Sequence, residues 1–256
     1  MSNVQFYKFS PAGNDTLFLV ADLRGKISPL CKAALSVVGS EQAAVVDLDK
    51  RVVRMAGDEF CVNAARAFAA LLDYVGEAPE EDRDDAKIYS ASMSGYDGPL
   101  ALSVRGAVPD WVASVAFRPR AAIIERGEGS LADLPGISHF LIETREFPAQ
   151  ARAREQAFAI ADELKFASRP AWGVSWLREK DGLCEIMPFV VCPGAGTQVF
   201  ETSCGSASLA LALTLKHEKT RVLQPSGDIL DVTLSDDGMA IVEGPVALKA
   251  TGLAYL

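Results

Sequence analysis

Apolar, β-branched residues cluster at Thr16–Ala21 (TLFLVA) and read as a strand. Ser28-Pro29 follows as a cap and first-turn proline, which predicts a helix through Val38. Ala44–Leu48 and Val52–Met55 flank Asp49-Lys50 and read as a hairpin, and Cys61 to Tyr74 reads as a helix. Glu77–Asp85 (EAPEEDRDD) reads as a solvated acidic loop. Strand-like runs near Ile88, Leu100–Val104 and Val112–Phe117 close this first set, and Arg118-Pro119 ends it. Gly127–Pro135, polar and glycine-rich, reads as a link between domains.

Strand and helix signals then start again. His139–Glu143 reads as a strand, and Ala151–Ala167 carries Ala153, Ala157, Ile160, Ala161 and Leu164 at helical spacing. Strands are expected near Gly173–Leu177 and Glu185–Val191. Gly205–Leu215 is apolar nearly all round, the pattern of a helix buried on every side. Short strands near Val222, Ile229–Leu234 and Met239–Val242 complete the pattern.

An internal repeat changes the picture. Cys61-Val-Asn-Ala-Ala-Arg-Ala-Phe-Ala-Ala-Leu-Leu aligns with Cys204-Gly-Ser-Ala-Ser-Leu-Ala-Leu-Ala-Leu-Thr-Leu, with the cysteine, three alanines and a final leucine in register. Each segment follows strands and an acidic residue, Glu59 or Glu201. The expected fold is α+β, with two pseudo-symmetric halves. Residues 1–118 carry Cys61, residues 119–256 carry Cys204, and each half wraps a sheet or barrel around one central apolar helix.

Composition narrows the function. The chain has 256 residues, 49% of them hydrophobic and 23% charged, values of a globular protein. Its net charge of −9 disfavours nucleic acid and anionic membranes as partners. No apolar run approaches the ~18 residues of a membrane span, and the first residues lack a secretory pattern, so a cytoplasmic protein is expected. The five cysteines, Cys31, Cys61, Cys184, Cys192 and Cys204, form no CxxC pair. With two histidines and no glycine-rich phosphate loop, neither a metal nor another cofactor is expected.

A cysteine at a helix start meets unpaired backbone N–H groups and the positive end of the helix dipole, which favour thiolate, while burial opposes it. The same N–H groups form a carboxylate site. Two such helices facing each other would hold one carboxylate between two thiols. Inversion at a carbon α to a carboxylate needs a base on one face and an acid on the other, and two thiols can supply both. Cys31, Cys184 and Cys192 read as small buried apolar residues. A cysteine–histidine hydrolase would need His139 or His217 as base. His217 reads as a surface residue, and His139 opens an apolar strand.

These residues resemble the diaminopimelate epimerase superfamily of cofactor-independent racemases. The family's Gly-Asn-Asp motif is matched by Gly13-Asn14-Asp15, its Cys-Gly-Asn-Gly with a later arginine by Cys61-Val62-Asn63-Ala64 and Arg66, its Cys-Gly-Thr-Gly by Cys204-Gly205-Ser206-Ala207, and its strand histidine by His139. Val62 replaces a glycine, Ile137-Ser138-His139 lacks the expected asparagine, and Phe200-Glu201-Thr202-Ser203 lacks the expected Glu-Arg pair. The distal end of diaminopimelate therefore lacks recognisable partners. The histidine racemase branch, known from staphylopine-type metallophore synthesis, is the more similar, through Phe9–Asn14, Met55–Cys61, Glu201–Ser206, Gln224–Leu230 and Ala250-Thr251-Gly252. Val62 and Arg66 depart from that branch too.

The resemblance implies Cys61 and Cys204 as the acid–base pair and the N–H groups of Val62, Asn63, Gly205 and Ser206 as the α-carboxylate site. Asn14 and Glu201 are candidates for the substrate's amino group or side chain. Their other readings are a turn residue and a helix-start acid. The expected partner is a small amino acid, and a homodimer is the default assembly. Isomerisation of another small carboxylate, and a non-catalytic binder that kept the pocket, stay open as alternatives.

Overall fold

The computed structural model describes residues 3–83, 85–180 and 182–256. One extended sheet of seventeen strands dominates it, accompanied by four α-helices: α1 (Ser28–Val38), α2 (Val62–Tyr74), α3 (Gln150–Glu163) and α4 (Gly205–Leu215).

Eight strands close into a ring around α2. Asn3–Pro11 pairs with Thr16–Val20, which lies parallel to Gln42–Asp47 across α1. Gln42–Asp47 forms the expected hairpin with Val52–Met55, which lies parallel to Ala86–Met93 across α2. Leu100–Ala107 and Asp110–Phe117 follow as antiparallel neighbours. The last strand, Ala240–Tyr255, pairs with Asp110–Phe117 along its first half and with Asn3–Pro11 along its second. Every residue of α2 from Val62 to Leu72 is buried inside this ring. An alanine-rich helix suits that place, because the small side chains let eight strands approach it from all sides while Phe68 and Leu71 fill the remaining gaps.

The same order of pairings recurs along the second part of the chain. Ile137–Glu143 lies parallel to Trp172–Lys180 across α3, and Trp172–Lys180 forms a hairpin with Leu183–Cys192. Leu183–Cys192 then lies parallel to Lys219–Leu223 across α4, and Ile229–Leu234 joins that strand to Ala240–Tyr255. This run does not close. Among the described residues its outer strand, Ala122–Arg126, pairs only with Gly129–Leu134. From Gly205 to Ala212, α4 is buried against the run.

Several readings from sequence change here. Gly127–Pro135 is not a linker, because Gly129–Leu134 is a strand held on both sides. Gly129 is needed there, since a Cβ would come within 2.4 Å of the Leu141 carbonyl oxygen. The acidic segment contains the short strand Glu81–Arg83, and its Asp84 lies outside the described residues. The final strand runs thirteen residues past Val242. The helix expected over Ala151–Ala167 ends at Glu163, followed by a 3-10 turn at Phe166–Ser168. Among the described residues no helix is long and apolar enough to cross a membrane.

Phe68 is fully buried in α2, its ring tilted 56° to that of Phe18 with the centroids 6.0 Å apart. Phe68→Ala should lower the unfolding free energy by about 3–5 kcal/mol, measured by urea titration, as for other large buried side chains truncated in a core.

Candidate active site

Cys61 and Cys204 each occupy the residue before a helix, in extended backbone with φ −126° and −135°. Both side chains line one cavity of about 60 Å³, together with Val62, Asn63, Gly205 and Ser206 from the two first turns. First-turn N–H groups have no acceptor within their helix, so two sets of free donors and two positive dipole ends converge on this space.

The helices approach so closely that Gly205 tolerates no side chain. A Cβ there would lie 2.6 Å from Val62 Cγ1 and 2.9 Å from Asn63 Oδ1. Asn63 crosses the gap by donating from Nδ2 to the Ser203 carbonyl (2.9 Å) and accepting from Arg66 Nη2 (2.8 Å). Arg66 is fully buried, and burial pulls its guanidinium down to about 10. It braces Asn63 rather than reaching the cavity.

Burial dominates the ionisation of the site. It pushes the Cys61 thiol up to about 12 and the Cys204 thiol well above its ordinary value. The Cys204 thiol faces the carboxyl of Glu201, which burial raises to about 8. Cys61 Sγ lies 3.3 Å from Gln42 Oε1 and accepts from the Ala64 N–H at 3.4 Å.

Six of the residues singled out besides the cysteines belong to the Asn14–Ser206 set, and five of these line the cavity: Val62, Asn63, Glu201, Gly205 and Ser206. Asn14 does not. It stands behind the wall, donating to Glu41 Oε2 (2.8 Å) and accepting from Gln42 Nε2 (2.6 Å). The Gly13-Asn14-Asp15 motif therefore shapes the wall indirectly. Gly13, at φ +91°, lets the turn pass Ser226, and the Asp15 carbonyl accepts from the backbone N–H groups of Glu41 and Gln42. His139 is buried and touches Ser206 at 2.8 Å, while His217 is exposed. Cys31 lies in the core under α1, and Cys184 is half-buried away from the cavity.

Sequence reading missed Glu41, Gln42, Glu59 and Cys192, all on the wall. Cys192 faces Glu59, whose Oε2 accepts from the Gly57 N–H at 3.0 Å. A Cβ on Gly57 would come within 2.4 Å of the Cys192 sulfur, so this glycine makes room for the pair. Burial raises the carboxyls of Glu41 and Glu59. Among the described residues, no lysine or arginine lines the cavity. Nor does any cluster of His, Cys, Asp and Glu side chains among them have the geometry of a metal site.

Comparison with known proteins shows the family of the chain and the likeness of its fold. The family model described as "Histidine racemase CntK N-terminal domain" matches residues 3–255. A histidine racemase of Fusobacterium nucleatum subsp. nucleatum is 29% identical over 270 residues, covering 99% of this chain and 97% of its own. In structure the chain is similar to a hydroxyproline epimerase from Agrobacterium vitis with bound trans-4-hydroxy-L-proline (TM-score 0.68, 12% identity, 99% and 91% coverage). It is also similar to a phenazine biosynthesis protein PhzF family member from Enterococcus faecalis (TM-score 0.58, 15% identity, 100% of both chains).

The Gly205–Val62 contact yields a coupled prediction. Gly205→Ala should cost about 1–3 kcal/mol through overpacking. Adding Val62→Ala should recover part of that loss, which a double-mutant cycle by thermal or urea unfolding will read as an interaction energy.

Proposed function

The chain belongs to the histidine racemase family, and from that premise we propose that it interconverts L- and D-histidine with Cys61 and Cys204 as its two acid–base groups. It is an isomerase, a racemase that works without a cofactor. The observation that carries the proposed mechanism is the convergence of both thiols and both helix N-termini on one cavity.

The substrate α-carboxylate is held by the N–H groups of Val62, Asn63, Gly205 and Ser206. One cysteine, as thiolate, removes the α-proton from one face. The electron pair left on carbon spreads into the carboxylate, where the two helix N-termini stabilise the added charge. The other cysteine returns a proton on the opposite face, inverting the centre. Glu201, the carboxyl that faces Cys204 across the same cavity wall, serves as its proton acceptor.

The charge of the wall bears on the substrate. Glu41, Glu59 and Glu201 face the cavity with no basic side chain among the described lining residues. Carboxylates there suit an ammonium group and a ring N–H. A second carboxylate, as in diaminopimelate, would meet three acids and no basic side chain among the described lining residues. Two equivalent halves, 1–118 and 119–256, fit the repeated order of strand pairings, with the last strand shared between them.

L-Histidine incubated with the protein in heavy water should acquire deuterium at Cα and appear as D-histidine by chiral chromatography. Cys61→Ser and Cys204→Ser should each slow racemisation by at least ~10²–10⁴-fold, the usual worth of a general acid or base. Serine variants that racemise at the wild-type rate overturn the two-thiol mechanism, and failure of histidine alone among amino acids overturns the substrate.

The rate should also climb with pH through about 8. Below that value Glu201 is protonated and cannot accept from Cys204, and above it the carboxylate is free to do so. In Glu201→Gln this limb of the kcat/KM profile should vanish. A limb that persists unchanged in the variant belongs to another group.

A further inference from the structure

The two thiols lie in hydrogen-bond chains that run in opposite directions. On the Cys61 side the chain starts at a carboxylate. Glu41 accepts from Asn14 Nδ2 (2.8 Å), Asn14 Oδ1 accepts from Gln42 Nε2 (2.6 Å), and Gln42 Nε2 also donates to Thr16 Oγ1 (2.8 Å). With its amide nitrogen committed twice, Gln42 can turn only its carbonyl oxygen toward Cys61. At 3.3 Å that oxygen accepts the S–H proton, a bond that exists only while Cys61 is a thiol.

On the Cys204 side the chain starts at a ring N–H. His139 is fully buried, and burial pulls it down to about 3, so the ring is neutral. Among the described residues its Nδ1 has no partner, and Nε2 lies 2.8 Å from Ser206 Oγ. A buried N–H without an acceptor is rarer than a buried lone pair without a donor, which puts the proton on Nε2. Nε2–H then donates to Ser206, and the Ser206 hydroxyl hydrogen is left for Cys204 Sγ, 3.4 Å away. This bond strengthens when the sulfur is negative.

We propose that Gln42 and Ser206 are positioning residues that hold the two thiols in opposite roles in the ligand-free protein: Gln42, fixed by Asn14 and Thr16, keeps the proton on Cys61, and Ser206, aimed by His139, gives Cys204 the hydrogen bond of a thiolate. Other groups act on both sulfurs. Cys61 also faces the Ala64 N–H, Glu59, Glu201, Cys192 and the more distant Arg66. Cys204 also faces the Ala207 N–H and Glu201, which takes its proton and is itself flanked by Glu41 and Glu59. Helix N–H groups are common to both sides, so they do not set the sulfurs apart. What differs is a locked carbonyl acceptor on one side and a locked hydroxyl donor on the other. The catalytic meaning of this asymmetry rests on the racemase reading above, but the asymmetry itself does not.

Iodoacetamide alkylation of the substrate-free protein, followed at Cys61 and Cys204 by peptide mass spectrometry from pH 6 to 11, separates the two effects. Ser206→Ala should slow alkylation of Cys204 at least tenfold at a given pH and leave Cys61 unchanged. Ser206→Thr, which keeps the hydroxyl, should restore the rate. Gln42→Leu should act with the opposite sign and speed alkylation of Cys61, because the thiol loses its acceptor. Matched thermal melts identify any variant that is simply unfolded, and if Gln42→Leu is, the Ser206→Ala and Ser206→Thr pair decides. An unchanged Cys204 rate in Ser206→Ala, or changes of the same sign in both deletions, overturns the proposal. Alkylation needs no substrate, so it stands or falls apart from the choice of histidine.

Discussion

Two helix N-termini aimed at one small space repel each other. Each brings a positive dipole end and a turn of unpaired N–H groups, and neither can turn away, because both helices are buried along almost their whole length. The conflict is relieved when an anion sits between them. Gly205 lets the two turns come close, Asn63 ties one to the residue before the other, and Arg66 holds Asn63 from inside the core. Surrounding acids then set what accompanies the anion. In the binding mode proposed above, an amino acid would supply the negative group at the helix ends and the positive group to the glutamates.

That balance explains why a chain with so acidic a pocket can still act on a carboxylate. Backbone donors carry no formal charge and need no lysine or arginine beside them, so the wall is free to recognise cationic groups. It also explains why burial does not disable the thiols. Thiols raised in this way ionise with difficulty alone; in the mechanism proposed above each has a neighbour that matches one protonation state, Gln42 for the thiol and Ser206 for the thiolate.

Much of this was legible in the sequence. Helices α1 and α4 were readable because Ser28-Pro29 marks a start and an all-apolar run can only be interior. Cys61 and Cys204 were readable as a pair because the chain states the same helix start twice, and the structure brings both to one cavity. Glu41, Gln42, Glu59 and Cys192 were not readable, because each acquires its meaning from partners distant in sequence: Thr202 for Glu41, Cys61 for Gln42, Cys192 for Glu59. Asn14 was placed one layer too near the cavity, since a motif shows which residues recur and not which of them face inward. The strands at Asn3–Pro11 and Gly129–Leu134 escaped for a related reason. Asn3–Pro11 mixes polar and apolar residues and ends on a proline, and Gly129–Leu134 opens on a glycine within a polar stretch, so neither is marked as a strand until neighbouring strands supply the hydrogen bonds.

The last strand has a consequence for how the chain is made. Residues 3–117 contain seven of the eight strands around α2, but the eighth, Ala240–Tyr255, lies at the far end of the chain. During synthesis the first half therefore emerges with two unpaired edges, Asn3–Pro11 and Asp110–Phe117, and with α2 incompletely covered. Those edges wait for more than a hundred further residues before their partner leaves the ribosome, at the usual pace of about 5–20 residues per second. An open edge on a nascent chain is a site for wrong pairing. The ring around α2 is thus sealed only once Ala240–Tyr255 has emerged.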